Sequence, residues 1–332
     1  MGFTSNMNKA HFFLLLLASI FFSCQEHRPK TLATASGKVN TISVIIDDDL
    51  WNGEIGDSIR NKFASPVIGL PQEEPLFDIN QYPVKLLEGF MTNARNIIVV
   101  KKEPASKFRI VANEYAIPQN VVHISGRSVG EILAVLQKSA PTIIKLMKQT
   151  EIEETQKRID TSLLNISSLK NKFNISLKIP TGYIYVLEKE KFTWLKKEII
   201  SGNTSLLIYE VPLNYLGKAN VIDRIIKMRD SIGDLYIHGT IEGTRMITEA
   251  AYAPYLSNTK INGRSAVETK GTWEMKDDFM SGPFLNYAIR DSINNRILVL
   301  EGFCYAPSKQ KRDLMHELEA VIRSLKISKN GN

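Results

Sequence analysis

Apolar residues in this chain recur with three spacings, and each spacing predicts an element. The longest unbroken run, Phe12 to Phe22, stands at the front behind Lys9 and His11 and ends in Ser23-Cys24. Short β-branched runs at Thr41–Ile46, Asn96–Val100, Phe108–Ala112 and Val121–Ile124 predict strands. Ile55, Ile59 and Phe63, four residues apart, predict a short amphipathic helix with Trp51 near its start. Pro66, Pro71 and Pro75 break the next stretch into a loop. Ile132, Leu136, Ile143 and Met147 form one stripe of a long helix that begins near Ser128, which Pro141 is expected to kink or divide. The charged stretch Glu151–Asp160 is expected to project or to connect.

The second half reads as mostly β. Alternation over Phe173–Ile179 predicts a strand, Pro180-Thr181-Gly182 a turn, and Tyr183–Val186, Thr193–Leu195, Ser205–Tyr209, Tyr287–Ile289 and the run from Ile297 predict further strands. A short helix is predicted over Val221–Met228 with Asn220 as its cap, and a closing helix over about Lys309–Leu325 on the stripe Leu314, Leu318, Ile322, Leu325. Strand runs with helices at their ends predict an α+β protein of two domains, each a largely antiparallel sheet with packed helices. The expected boundaries are a leader at 1–23, a tether at 24–38, a first domain at 39–160, a linker at 161–171 and a second, sandwich-like domain at 172–328.

The front run is too short to span a bilayer, which takes ~20 apolar residues, and its basic flank and small residue before cysteine read as a lipoprotein-type signal. Cys24 is then the lipid attachment point and the polar stretch behind it a flexible tether. That places the chain in the cell envelope, with the outer membrane facing the periplasm as the expected site and the membrane itself as a partner through the lipid. The only other cysteine, Cys304, lies in an apolar segment and is expected to be a buried, inert thiol. A formal charge of +7 comes from lysines interleaved with acidic residues, without a nucleic-acid-binding signature. No cofactor motif is present.

Three patterns carry candidate chemistry. Gly126-Arg127-Ser128-Val129-Gly130 has the form of a nucleophile elbow, with Ser128 as the candidate nucleophile of a hydrolase. Ser128 and Glu131 equally form a helix-capping box, and no strand–helix alternation of a parallel sheet is read around them. Asp47-Asp48-Asp49 at a strand end is a candidate oxygen-ligand set for Mg²⁺ or Ca²⁺, although its spacing is not that of an EF-hand. The aromatic-rich segment Trp273–Phe284 and the loop Leu70–Phe77 are candidate contact surfaces, with Trp51, Gln72, Glu73, Phe77, Trp273, Asp278, Phe279 and Phe284 as the residues to watch.

Asp48–Gly53, Leu70–Asp78, Arg95–Ile97, Glu268–Met280, Gly282–Phe284, Glu301–Pro307 and Lys311–Asp313 together resemble a family of lipoproteins from Bacteroidetes defined as domain-of-unknown-function family 4837, over essentially the whole mature chain. The resemblance implies envelope attachment and brings no activity with it. The second half, with its strand ending near Tyr183 and its closing helix, is similar to the α+β sandwich of the PsbP and Mog1 group. The expected function is a non-enzymatic binding or scaffolding module for an envelope protein or glycolipid. The alternatives are a serine hydrolase using Ser128 and a carrier of a small hydrophobic ligand.

Overall fold

The computed structural model describes residues 32–217 and 219–329; the front run, Cys24 and the start of the tether lie outside them. From Thr34 onward the chain forms one compact unit. Its first half is built on strands β1 (Thr41–Ile45), β2 (Asp78–Tyr82), β3 (Asn96–Lys102), β4 (Lys107–Ala112) and β5 (Asn120–Gly126), in the spatial order β2-β1-β3-β5-β4. Helix α1 (Glu54–Phe63) connects β1 to β2, and helix α2 (Val129–Ile159) follows β5.

Here the expected antiparallel sheet is corrected. β1 pairs in parallel with both β2 and β3, β3 pairs in parallel with β5, and only β4 runs antiparallel. The physical reason is visible in the strands themselves. Ile42 and Val44 lie under α1 and α2 while Ile45, Ile97, Val99 and Val121 fill the opposite face, so the central strands are apolar on both sides, as parallel strands are. Helix α1 supplies the crossover that parallel neighbours require. Its stripe Ile55, Ile59, Phe63 is buried, as the spacing predicts.

Helix α2 is continuous over 31 residues and is not divided at Pro141. Pro141 and Gln137, whose carbonyl a proline at this position cannot serve, are both on the exposed face of the helix. The stretch Glu151–Asp160 does not project either. Glu151 is wholly buried: its carboxylate accepts from Arg95 Nε at 3.0 Å, Asn96 Nδ2 at 2.8 Å and the Asn40 backbone N–H at 3.3 Å. A buried acid with this many donors is a structural tie between α2 and the starts of β1 and β3.

After a short helix α3 (Ser167–Phe173), the second half contains β6 (Ile184–Lys189), β7 (Phe192–Ile199), β8 (Gly202–Pro212), helix α4 (Val221–Tyr236), β9 (Arg245–Thr248), β10 (Tyr255–Ile261), β11 (Arg264–Lys276), β12 (Ser281–Asp291), β13 (Arg296–Tyr305) and helix α5 (Arg312–Arg323). They form an eight-stranded antiparallel sheet in the order β9-β11-β12-β13-β8-β7-β6, with β10 also on β11. Two predicted elements differ. The alternating Phe173–Ile179 segment is strand only at Ile175–Ser176, since Phe173 closes α3, and α4 is twice the expected length. Asn220 holds the N-cap position of α4 in a left-handed conformation without a side-chain cap bond.

The sheet buries both faces. One packs Leu206, Ile208, Leu298 and Leu300 against Leu318, Val321 and Ile322 of α5 and Phe173 of α3. A side chain at Gly302 would meet Leu318 Cβ at 2.9 Å, so that glycine sets how closely α5 lies on β13. The other face packs Leu207, Val299 and Trp273 against Ile225 and Met228 of α4. Within it Arg229 of α4 binds both oxygens of Glu301 at 2.9 and 2.7 Å, stacks 3.3 Å over the Phe284 ring and leaves no charge unmatched.

Replacing Glu151 by alanine is expected to destabilise the protein by about 3–5 kcal/mol, because Arg95 and two asparagines lose their buried acceptor at once. Urea unfolding monitored by circular dichroism measures it; a loss under ~1 kcal/mol would mean the tie contributes little.

Candidate functional site

The loop between α1 and β2 is held in a closed shape by an antiparallel bridge of Pro66 with Pro75 and by the Val67 N–H on the Glu74 carbonyl at 2.9 Å. Its tip turns at Gly69, whose φ of +86° only glycine adopts without strain, and rests on Lys270 and Gly271 of β11. Its far end reaches α5. Glu74 accepts the backbone N–H groups of Lys311 at 2.7 Å and Arg312 at 2.9 Å, so it caps a helix that begins more than two hundred residues later. Arg312 answers with both guanidinium ends on Asp78, at 3.0 and 2.9 Å, and with a bond to the Pro75 carbonyl.

Beside this clamp lies a polar chain. Asp313 accepts from Asn40 Nδ2 at 2.9 Å, Asn40 Oδ1 accepts from Lys148 Nζ at 2.8 Å, and Lys148 lies 3.5 Å from His316 Nδ1. Since an ammonium only donates, Nδ1 carries the lone pair and the ring proton sits on Nε2, facing Thr155 Oγ1 at 3.1 Å and the Glu151 carbonyl at 3.3 Å. Burial, reinforced by Lys148, pushes the His316 pKa down to about 4. Burial also pushes the Lys148 ammonium down, and Lys148 forms no salt bridge among the described residues. For Glu319, burial alone would raise the pKa, but Lys270, Arg323 and Lys148 outweigh it and hold the carboxyl at about 2.

These groups enclose a cavity of about 50 Å³ at the seam of the two halves, lined by Lys148, Lys270, Arg312, His316 and Glu319 on one side and by Val67, Ile68, Leu70, Leu285 and Met315 on the other. Across the loop, the same residues Val67–Leu70 form one wall of an open groove of about 750 Å³, completed by Pro66, Pro71 and the segment Ala251–Tyr255. Ile68, Tyr252 and Tyr255 are 56%, 67% and 60% exposed there. A concave, mostly apolar space beside a few convergent charges is the general form of a ligand site.

The residues singled out from the sequence are scattered relative to this site. Phe77, Trp273 and Phe284 are buried side chains: Phe77 packs with α1 and α2, Trp273 meets the Phe303 ring edge-on at 5.5 Å, and Phe284 lies under Arg229 and also lines the seam cavity. Trp51 is half-buried under Arg60. Gln72 and Glu73 are exposed on the clamp loop, where Gln72 accepts from Lys311 Nζ at 3.4 Å. Asp278 accepts the backbone N–H of Phe279 at 2.7 Å in the β11–β12 turn and leaves the Phe279 ring fully exposed. Asp47, Asp48 and Asp49 point outward; Asp47 accepts the Val84 N–H and Asp48 the Gln81 amide, and among the described residues no three acidic, histidine or cysteine groups are placed to hold a metal. Ser128 does lie between a strand and a helix of a parallel sheet, contrary to the sequence reading of its surroundings. Its φ of −132° is extended, however, and its Oγ accepts the Glu131 N–H at 3.3 Å as a helix cap, while the Glu131 carboxylate reaches back one residue further, to the Arg127 N–H. Burial pushes the Cys304 thiol up to about 12, in keeping with an inert core cysteine.

Lys148, Lys270, His316, Glu319, Tyr252 and Tyr255 were not foreseen. The tyrosines had a legible signal in the Ala-Tyr-Ala-Pro-Tyr segment; the charged groups had none, because only the packing of α2 on α5 and of the clamp loop on β11 brings them together.

Residues 162–324 match the family described as a domain of unknown function (DUF4837), and residues 35–160 match a second one, DUF8532. The resemblance read from the sequence is thus met in the second half, while the first half matches a family of its own. No curated protein matches the chain. Among solved structures, the Ran-binding protein Mog1p of Saccharomyces cerevisiae aligns over 47% of this chain and 90% of its own, with 8% identity and a TM-score of 0.30. A Mog1 point mutant aligns over 47% and 92%, with 9% identity and a TM-score of 0.29.

Two outcomes follow from the site. A fluorophosphonate probe should label the wild-type protein no more than Ser128→Ala; Ser128-dependent labelling would show that the cap opens into a nucleophile. The second concerns pH. Unfolded His316 takes up a proton below about 6.5 and the folded ring only near 4. Its contribution is therefore complete above pH 6.5 and is lost as pH falls toward 4, by about 3 kcal/mol. Urea midpoints of wild type and His316→Gln should converge across that window; parallel curves would place His316 outside the pH response.

Proposed function

We propose that this chain is a lipid-anchored envelope protein that binds a ligand or partner, and that its recognition surface is the groove between Val67–Pro71 and Ala251–Tyr255. The observation that carries the proposal is the exposure of Ile68, Tyr252 and Tyr255 around one concave space, where three large side chains are left in water although the adjoining sheet is well packed. Tyrosine suits such a surface, since it offers a broad apolar face with few rotors to freeze and a hydroxyl that stays wet. The Phe279 ring, fully exposed on a tight turn, is a second contact point of the same kind.

The anchor is the lipid on Cys24, followed by a polar tether that gives the module reach from an outer membrane facing the periplasm. The envelope component it meets is a protein or a glycolipid. Within this reading the clamp of Glu74 on α5 has a purpose: it holds the groove's loop rigid, so that little ordering entropy is lost on binding.

The test is photocrosslinking from position 252 in native membranes. Wild type should give a specific crosslink that disappears both in Cys24→Ala and when Tyr255 is changed to alanine, while Tyr255→Ala unfolds within ~0.5 kcal/mol of wild type. A crosslink indifferent to Tyr255 would remove the groove from the reading, and one indifferent to Cys24 would remove the anchor.

A further inference from the structure

The face of the first sheet turned away from α1 and α2 is apolar at one end and polar at the other. Same-face positions read Thr41, Ser43, Ile45 along β1 and Asp78, Asn80, Tyr82 along β2. The parallel register sets Thr41 beside Asp78, Ser43 beside Asn80 and Ile45 beside Tyr82. Ile45 and Tyr82 pack with Val84, Leu87 and Ala94, whereas the two polar rows floor a hollow of about 470 Å³. Apolar side chains are the rule on a central strand of a parallel sheet, so Thr41 and Ser43 are not explained by packing.

The walls of the hollow are fixed by bonds of their own. Ser36 bridges to Ala94, and its N–H donates to the Asn93 carbonyl at 2.8 Å. The Arg95 side chain is 10% exposed; its Nη2 donates to the Gly37 and Lys38 carbonyls, each at 2.9 Å, and its Nε to Glu151 at 3.0 Å, which leaves Nη1 unspent on protein. Ser43 is 6% exposed, and its hydroxyl lines the hollow without a protein partner, as do the Asn80 carboxamide and the Tyr82 phenol. The charges, by contrast, are met. Arg95 is paired with Glu151, Asp78 takes both ends of Arg312, and Lys38 stands exposed at the rim, where water serves it. Such a hollow gives an ion little hold. What it offers is neutral: hydroxyl and amide groups that donate and accept side by side, next to one aromatic ring.

An apolar ligand would strip water from these groups and leave them unpaired. A sugar ring would not, because each of its hydroxyls also donates and accepts, while its C–H face is apolar and suits an aromatic neighbour. The volume falls within the roughly 300–1,000 Å³ of small-ligand sites. We propose that this hollow is a saccharide site for a neutral sugar residue. Ser43, Asn80 and Nη1 of Arg95 bond the ring hydroxyls, and Tyr82 meets the C–H face. The site shares no residue with the groove beside Tyr252 and Tyr255 and does not rest on the reading of that groove. A glycolipid headgroup and a soluble oligosaccharide present the same chemistry to it.

The full chain carrying Cys24→Ala, which keeps the protein away from lipid, tests this on a panel of immobilised sugars. The neutral probes are glucose, galactose, mannose, N-acetylglucosamine and N-acetylgalactosamine; the charged ones are glucuronate and mannose 6-phosphate. At least one neutral sugar should bind, and its affinity should hold between about 50 and 500 mM salt, since no charge is screened. Asn80→Ala should lose about tenfold with its unfolding midpoint unchanged, because that carboxamide holds nothing in the free protein. Tyr82→Ala should lose as much if thermal unfolding shows it folded. Competition then names the source: full displacement by the soluble sugar assigns an oligosaccharide, and binding only to vesicles that carry the sugar on a lipid tail assigns a headgroup. Binding confined to glucuronate or mannose 6-phosphate and falling steeply with salt would make the hollow an anion site and overturn the proposal. Sugar binding indifferent to Asn80→Ala would place the sugar elsewhere and overturn it too. Silence across the panel and the vesicles would overturn the saccharide site while leaving a Tyr255-dependent crosslink, and with it the groove, untouched.

Discussion

The fold turns on one carboxylate that serves a helix far from it in the chain. The first turn of any helix leaves backbone N–H groups unpaired, and here Lys311 and Arg312 at the start of α5 are buried, where water cannot serve them. Glu74 serves them instead, from a loop of the other half. Because that loop is itself closed at Pro66 and Pro75, the cap does more than end a helix: it fixes where α5 lies relative to β2, and through Arg312 and Asp78 it makes the join two-sided. The cavity and the groove both exist because the loop is pinned there.

The sequence was legible wherever one side of an element faces one core. The stripes of α1 and α5, the β-branched strands and the inert cysteine could be read directly, since burial of a repeated apolar face is a local pattern. It was not legible where a polar residue is buried for a distant partner. Glu151 and Thr155 made the end of α2 look solvated, although both are buried and bonded to Arg95, Asn96 and His316. The direction of the first sheet was hidden for a related reason, since a short crossover helix and a proline-rich loop do not announce a parallel pair. Trp273 and Phe284 read as a surface because of their density, but both are buried, packed with Arg229 and α4, and Phe284 reaches only the wall of the seam cavity.

The site is accordingly of a kind that motif reading misses. The cavity's charged wall comes from α2, α5 and β11 and its apolar wall from the clamp loop, β12 and α5, while the groove adds the segment before β10, a strand that pairs with β11 in one hairpin. What a sequence shows as separate stretches, the seam brings together, and its electrostatics follow from that packing: Lys148, Lys270 and Arg323 converge on Glu319 and keep its buried carboxyl ionised.

Helix α2 carries a consequence for how such a chain can change over evolutionary time. Its first turns lie on the parallel sheet while its last turns, through Thr155, Gln156 and Ile159, lie on α5 and the antiparallel sheet. The two family matches meet just beyond its end, at residues 160 and 162. Exchange of either half for a relative's at that junction would cut through no element, yet it would set a foreign helix face against α5 and a foreign acid against Lys311 and Arg312. The halves therefore fit as a matched pair: the last three turns of α2 and the face of α5 are complementary surfaces, and a swap at the point that looks like a free boundary would have to carry both.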